Sequence, residues 1–439
     1  MLAKSYSFQE SVDYLLSLGN EVSAMKLGLE NIRTLLAAFG DPQNRYLKVQ
    51  VAGTNGKGSV CAFLNSICLK AGIKTGLYTS PHLISITERI KIAGQEITEE
   101  EFARFATTVR GTVEDLVANG ELEYTATFFE QVTAITLLAF AEAKVELAIL
   151  ETGLGGRLDA TTAANAEIAA ITRIDYDHQQ YLGETIEEIA AEKAAIITAE
   201  TRYVVLGEQS RDVMRLLRKH CCDLGIEPLN DEYEPWRLLP DKDGTVKVIL
   251  SLLSFPPIRL GLKGRHQIEN AQTAIQITKA LLYHGTFLDT DGEVEVHIVE
   301  GLKNARHPGR LEYCGRYLFD GAHNPGGAKA LAAYLDEFET RRITLVFGAM
   351  KDKPIAEIAN ILFPSAYKII LTQTENSRAM TADEIAPFIP VTVDPSNIFL
   401  TATVERALAK ADDVTGENGL ILVTGSLYLV GEAKKILNN

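Results

Sequence analysis

The run Gly53-Thr54-Asn55-Gly56-Lys57-Gly58-Ser59 holds the residue types that a phosphate group asks of a protein. A glycine-rich turn between a buried strand and a helix aims backbone N–H groups and the helix's positive end at phosphate oxygens, while Lys57 adds a point charge and Ser59 a magnesium-seeking hydroxyl. The spacing departs from the usual G-x-x-x-x-G-K-[ST] form, because Gly58 stands between Lys57 and the hydroxyl. The strand and helix on either side support phosphate binding and leave ATP and GTP equally open. Glu151 follows an apolar strand directly, which puts a carboxylate where open α/β sheets place their ligands. A metal ligand is the functional expectation there, and a solvated strand-end acid or a helix cap the plain one. Asp177-His178 follows another strand and brings an imidazole to the same edge. A lone histidine would be bland, but its shared location with Glu151 and Ser59 points to metal or proton chemistry. Lys193 lies among small apolar residues in Ala191-Glu192-Lys193-Ala194-Ala195-Ile196. A lysine snorkelling from an apolar helix face accounts for it, and a partly buried lysine with lowered pKa is also nucleophilic.

These groups need a scaffold, and short β-rich segments alternating with longer helical ones predict parallel βαβ units in an α/β fold. Leu47–Val51, Leu147–Leu150, Ile168–Ile174 and Tyr203–Leu206 read as buried strands, and Ser59–Lys70, Phe102–Val117, Phe129–Ala143 and Ile186–Ile197 as helices. Residues 227–260, broken by Pro228, Pro235, Pro240, Pro256 and Pro257, read as an antiparallel hairpin or edge excursion of the first domain. A helix over Ile268–Leu282 and a loop over Gly285–Asp291 follow. Fresh alternation after about Asn304–Pro308, with strands at Tyr317–Phe319, Ile343–Phe347, Lys368–Leu371 and Leu420–Val423, marks a second domain. The expectation is a P-loop-containing, mostly parallel N-terminal domain over 1–304 and a smaller Rossmann-like α/β domain over 305–439.

Composition narrows the function classes. A chain of 439 residues exceeds one ordinary core and accommodates two. Its net charge of -15 argues against a general nucleic-acid binder, which needs clustered Lys and Arg. Cys61, Cys68, Cys221, Cys222 and Cys314 form no C-x-x-C pair or even framework, which fits a reducing compartment. Met1–Asn20 has no signal-peptide core, and no apolar run reaches the ~18 residues of a spanning helix. A cytoplasmic monomer without membrane or nucleic-acid partners is expected.

Taken in order, the motifs become specific. The loop Gly53–Ser59, Thr79-Ser80-Pro81-His82-Leu83, the run Glu151–Thr161 (ETGLGGRLDAT), Asp177-His178, Glu192-Lys193-Ala194, the run Gly264–Ala271 (GRHQIENA), His307-Pro308-Gly309-Arg310 and Asp320-Gly321-Ala322-His323-Asn324-Pro325 resemble the ordered series of folylpolyglutamate synthases and dihydrofolate synthases, within the Mur-ligase-like superfamily. That resemblance implies an ATP-dependent ligase adding L-glutamate to a folate-type carboxylate through an acyl phosphate, on tetrahydrofolate or dihydropteroate or both. It implies that Asn55, Gly56, Lys57, Gly58 and Ser59 hold ATP phosphates, with Asn270, Arg310 and Asp320 as further ATP contacts. Ser80, Glu151 and His178, with Ser59, become ligands for magnesium, two ions in all. Lys193 matches the lysine that the family carbamylates, and with Lys57 and His323 it makes up the expected catalytic set.

On the substrate side the resemblance points to Leu27, Gly28, Leu29 and Glu30, to Thr127, Phe128, Phe129 and Glu130, and to Leu158, Asp159 and Ala160 for the pterin. Ser426 falls, with His323, at positions associated with the amino acid. Two adjacent aromatics at a helix start are ordinarily core residues, and Thr424-Gly425-Ser426 alone is an ordinary strand-to-helix cap. Where relatives commonly carry Glu-Lys-Ala-Gly this chain has Ala195, a small change that leaves carbamylation open. It also carries an extra acid, Asp175, beside the histidine. A cell-wall ligase of the Mur type shares the loop, histidine and lysine, and a P-loop NTPase switch shares the loop and Glu151. The switch gives Lys193 and His178 no duty.

Overall fold

The computed structural model describes residues 5–19, 28–229, 237–241, 245–250, 253–286 and 293–438. The chain divides into two compact units, one of residues 1–82, 86–261 and 269–305, the other of residues 83–85, 262–268 and 306–439.

In the first unit β1 (Leu47–Ala52), β2 (Thr75–Tyr78), β3 (Ile90–Ile92), β4 (Gln95–Glu96), β5 (Leu147–Glu151), β6 (Ile168–Ile171) and β7 (Tyr203–Leu206) form a seven-stranded sheet in the order β4-β3-β2-β5-β1-β6-β7. The strands β2, β5, β1, β6 and β7 pair in parallel, and β3 and β4 return antiparallel at one edge. Parallel strands are covered on both faces and so read as continuous apolar runs. Leu147–Leu150 and Ile168–Ile171 are accordingly inaccessible to solvent. Val51 pairs with Glu151 on one side and Ala170 on the other, which levels the ends of β5, β1 and β6. Helix Phe128–Ala143 is buried along nearly its whole length.

Residues 227–260 contain more than a hairpin. β8 (Arg237–Pro240), β9 (Val246–Leu250) and β10 (Leu253–Ile258) make a separate three-stranded antiparallel sheet within the first unit. Of the loop read at Gly285–Asp291, positions 287–291 lie outside the described residues.

The second unit is an α/β sheet of β11 (Glu312–Cys314), β12 (Tyr317–Phe319), β13 (Ile343–Phe347), β14 (Lys368–Leu371), β15 (Ile398–Leu400) and β16 (Leu420–Thr424). The order is β11-β12-β16-β13-β14-β15, parallel except at β11. Two apolar clusters, one around Phe347 and Phe363 and one around Phe319 and Val423, supply its core.

Element boundaries differ from the sequence reading where tertiary contacts decide them. The strand read over Ile168–Ile174 stops at Ile171, because the chain then leaves the ladder and Ile174 N–H donates to the Gln209 side chain at 3.0 Å. The helix read to Ile197 ends at Ala194, with Ala195 as its cap, so Lys193 sits in the last turn. The helix expected from Ser59 begins at Lys57, and the one expected over Ile268–Leu282 spans His266–His284. No helix among the described residues is long and apolar enough to cross a membrane.

Candidate functional site

The loop after β1 is shaped by close backbone approach. Gly56 has φ 94° and caps helix Lys57–Lys70 without a side-chain hydrogen bond, leaving the helix's first N–H groups for a ligand. A Cβ at Gly56 would overlap Asn270 Oδ1, and one at Gly53 would overlap Thr172 Oγ1, so only glycine fits either place. The segment after β6 holds the loop from the other side. Thr54 N–H and Asn55 N–H both donate to the Arg173 carbonyl at 2.9 and 3.2 Å, and the Thr54 hydroxyl bonds the Asp175 carbonyl at 2.9 Å.

Two amines converge on one carbonyl at this loop. Lys57 Nζ donates to the Gly53 oxygen at 3.1 Å, and Lys193 Nζ reaches the same oxygen at 3.0 Å. Lys193 is 4% exposed. Burial, with the Lys57 ammonium nearby, draws its pKa from 10.5 down to about 7 against the opposing pull of Asp177 and Asp159. A lysine so placed is substantially unprotonated near neutrality, the form in which an amine attacks carbon dioxide.

Glu151 is the last residue of β5 rather than the first beyond it, and its Oε2 accepts the Ser80 N–H at 3.2 Å. Ser59 is buried one turn into the loop helix. His178 adopts a left-handed conformation with φ 51°, its N–H donating to Asp177 Oδ1 at 2.9 Å. Among the described residues no group of three or more His, Cys, Asp or Glu is gathered closely enough to hold a metal. Magnesium, however, takes hard oxygen ligands and commonly one or two carboxylates beside waters and phosphate oxygens. A buried strand-end carboxylate joined to Ser80, beside a phosphate loop carrying Ser59, suits such an ion.

Beside β5 lies a pocket of about 450 Å³, counted to its open mouth. Gly28, Thr127, Phe129, Glu130, Leu158, Asp159 and Ala160 line it together, all read in the sequence as pterin contacts. Ile32, Gly153 and Leu154 complete it and were not singled out, though the last two fall inside the Glu151–Thr161 run. Leu27 lies outside the described residues. Leu29 is buried as the cap of helix Glu30–Ala38, and Glu30 is exposed beside Gly28. Phe128 is buried under the Arg89 guanidinium, 5.3 Å from its ring centre. The two pocket acids are raised in pKa by burial, Glu130 against its bonds to Thr127 and Asp159 against its bonds to Thr161 and the Leu154 N–H.

A buried polar chain ties this pocket to the strand that feeds the loop. Gln50 of β1 donates its side-chain amide to Thr152, Thr161 and Thr162 hydroxyls at 3.1, 2.9 and 2.9 Å, and Thr161 in turn donates to Asp159 Oδ1. A glutamine between two valines of that strand was the sequence signal for this link.

In the second unit Asp320 is buried, its pKa raised by burial against the nearby Arg310. Its two oxygens accept Leu311 N–H and Ala322 N–H at 3.0 and 2.9 Å. His323 donates through Nδ1 to the Gly321 carbonyl at 2.8 Å, so Nε2 is the unprotonated nitrogen of the neutral ring. Ser426 is buried and accepts Leu429 N–H at 3.1 Å, acting as a helix cap. Arg310 depresses the buried His266, whose pKa falls to about 4 chiefly through burial.

A parallel sheet whose first loop carries a phosphate-type turn, followed by a second α/β unit, is the architecture of the Mur ligases. Residues 51–278 match the Mur ligase middle domain and residues 309–427 the Mur ligase glutamate ligase domain. The dihydrofolate synthase/folylpolyglutamate synthase of Bacillus subtilis is 33% identical over 423 residues, covering 94% of this chain and 95% of its own. The chain belongs to the dihydrofolate synthase/folylpolyglutamate synthase family. A probable bifunctional folylpolyglutamate synthase/dihydropteroate synthase of Haloferax volcanii is 32% identical over 97% of the chain, and the chain spans about half, 50%, of that relative's length. The crystal structure of Mycobacterium tuberculosis folylpolyglutamate synthase complexed with ADP and AMPPCP superposes with a TM-score of 0.84 at 29% identity, covering 98% of this chain and 99% of that one.

Proposed function

We propose that this chain is an ATP-dependent ligase joining the amino group of L-glutamate to the carboxylate of a pterin-type substrate, both to make dihydrofolate from dihydropteroate and to lengthen the glutamate tail of reduced folates. One observation carries the reading: a pocket and a phosphate loop lie at the ends of adjacent strands of one sheet, joined through Asp159, Thr161 and Gln50. A carboxylate held at the pocket's mouth would meet a terminal phosphate over the end of β5. The nucleotide complexes of the mycobacterial structure support ATP as the phosphate donor.

A carboxylate resists an amine because oxide is a poor leaving group, so phosphorylation must come first. The substrate carboxylate oxygen attacks the γ-phosphorus and ADP departs. The glutamate nitrogen then attacks the acyl carbon, phosphate leaves, and the amine proton passes to solvent or a nearby base. Lys57, Asn55, Gly56 and Gly58 would hold the phosphates, with Asn270 against the loop, and positioning supplies much of the rate. Ser59, Ser80, Glu151 and His178 would hold magnesium, which when bound neutralises phosphoryl charge. Lys193, about half neutral at pH 7 with its pKa lowered to about 7, would carry a carbamate and so place an anion beside Lys57. In the second unit the family resemblance gives Arg310 and Asp320 as ATP contacts and His323 and Ser426 as contacts for the glutamate. The same reading has the chain working as a monomer in the cytoplasm on small molecules.

The test is product analysis. Purified chain with ATP, magnesium and glutamate, offered dihydropteroate and tetrahydrofolate separately, should release one ADP per amide formed with each. ATP turnover indifferent to both pterin and glutamate would overturn the proposal.

A further inference from the structure

A second, larger cavity of the first unit lies at the end of β7, between that strand, helix Arg211–Asp223 and helix His266–His284. Counted to its mouth it encloses about 1790 Å³. Val205, Ile226 and Leu229 give it apolar walls beside polar lining that includes Glu227 and Gln272, and the exposed Glu208 and Arg218 also line it. Gln276 lines it at 3% exposure, and among the described residues neither its amide nitrogen nor its amide oxygen has a hydrogen-bond partner. Its helix neighbours are engaged: Gln272 accepts Leu238 N–H at 3.0 Å, and the Thr273 hydroxyl donates to the Glu269 carbonyl at 3.0 Å. A buried amide with both groups unmet costs stability, and such groups persist where something else completes them.

We propose that this cavity is a second small-molecule site, built for an uncharged amino-substituted heteroaromatic ring whose donor and acceptor edge pairs with the Gln276 amide between the walls of Val205, Ile226 and Leu229. A carboxamide presents one acceptor and two donors in a plane, the complement of an amino group beside a ring nitrogen. Glu269, one turn below Gln272 and Thr273, adds a carboxyl whose pKa is raised by burial and by Glu208, which hydrogen-bonds to it. Arg173, whose guanidinium opposes that rise, is the residue whose carbonyl holds Thr54 and Asn55 of the phosphate loop.

Equilibrium dialysis of the full chain with adenosine, cytidine and 2-aminopyrimidine, run with and without saturating AMPPCP and magnesium, tests the site. At least one probe should bind with AMPPCP present, and Gln276→Leu should weaken that binding 10-fold or more. In the same variant the melting temperature without probe should hold or rise, because an unmet amide is removed; Glu269→Gln should fold normally and weaken binding less. No probe bound by the wild type, or binding abolished by AMPPCP, overturns the proposal, the second result assigning the cavity to the base end of the nucleotide site. A fall in melting temperature with unchanged probe binding in Gln276→Leu overturns it too, by making the amide structural. None of these readouts requires ligase activity.

Discussion

Removing carbon dioxide from the protein should silence it reversibly, and the size of the effect follows from where Lys193 sits. With a pKa of about 7 in place of 10.5, half of the Lys193 amines are neutral at pH 7. An exposed lysine would be neutral about once in 3,000 molecules at that pH, so burial raises the reactive fraction roughly 1,000-fold. Because the folded pKa lies below the unfolded one, the unfolded chain binds the extra proton between pH 7 and 10.5. The burial therefore costs stability fully below pH 7 and is relieved as pH rises toward 10.5, by about 5 kcal/mol in all. The assay has two arms. With ¹³C-bicarbonate, the carbamate carbon signal should appear in the wild type, grow from pH 6 to 8, and be absent in Lys193→Ala. Ligation should fall at least ~100-fold in Lys193→Ala, and acetate should restore part of it. In carbon-dioxide-free buffer, Lys193→Met should melt higher than the wild type at pH 6.5 and lose that advantage by pH 10. Equal rates with and without bicarbonate, or a carbamate signal that persists in Lys193→Ala, would refute the reasoning.

Other outcomes follow from the same geometry. Gly56→Ala, which sets a methyl against Asn270 at φ 94°, should leave the circular dichroism spectrum intact and cut kcat/KM for ATP roughly 100-fold. Asp159→Asn turns one carboxylate oxygen into a donor facing N–H groups, a mismatch of about 1 to 3 kcal/mol, so KM for the pterin should rise about 10- to 100-fold while KM for ATP stays within about 2-fold. His266, with a folded pKa of about 4, makes the unfolded chain the better proton binder between pH 4 and 6.5, so acid should cost roughly 3 kcal/mol across that window. His266→Gln should flatten that part of the urea-midpoint profile, and an unchanged slope counts against the burial argument.

The sequence conveyed the strand, loop and helix of the phosphate turn because glycine and lysine are diagnostic by type, and it conveyed the α/β class because buried parallel strands read as apolar runs. Its rendering of Lys193 stopped at small apolar neighbours. The acceptor, the Gly53 carbonyl, is 140 residues away and is backbone, which leaves no mark on residue type. Arg173 escaped notice for the same reason, since its carbonyl rather than its guanidinium holds the loop. The overlong strand at Ile168–Ile174 was an error of continuity, as apolar Ile174 extended a pattern that the fold breaks to turn the Arg173 carbonyl toward the phosphate loop. The motif order set the pocket residues side by side, whereas Gln50, a polar residue between Val49 and Val51, was the sign of the buried chain behind them.

Gln50 also bears on how such sequences can drift. Its amide nitrogen has two hydrogens for three threonine hydroxyls, one of which relays onward to Asp159. Exchanging Gln50 alone would take that donor from all three buried hydroxyls, whereas exchanging a single threonine still leaves each amide hydrogen an acceptor. Single threonine positions can therefore drift while Gln50 stays, and a pocket segment grafted from one relative into another should fold well only when its strand residue travels with it.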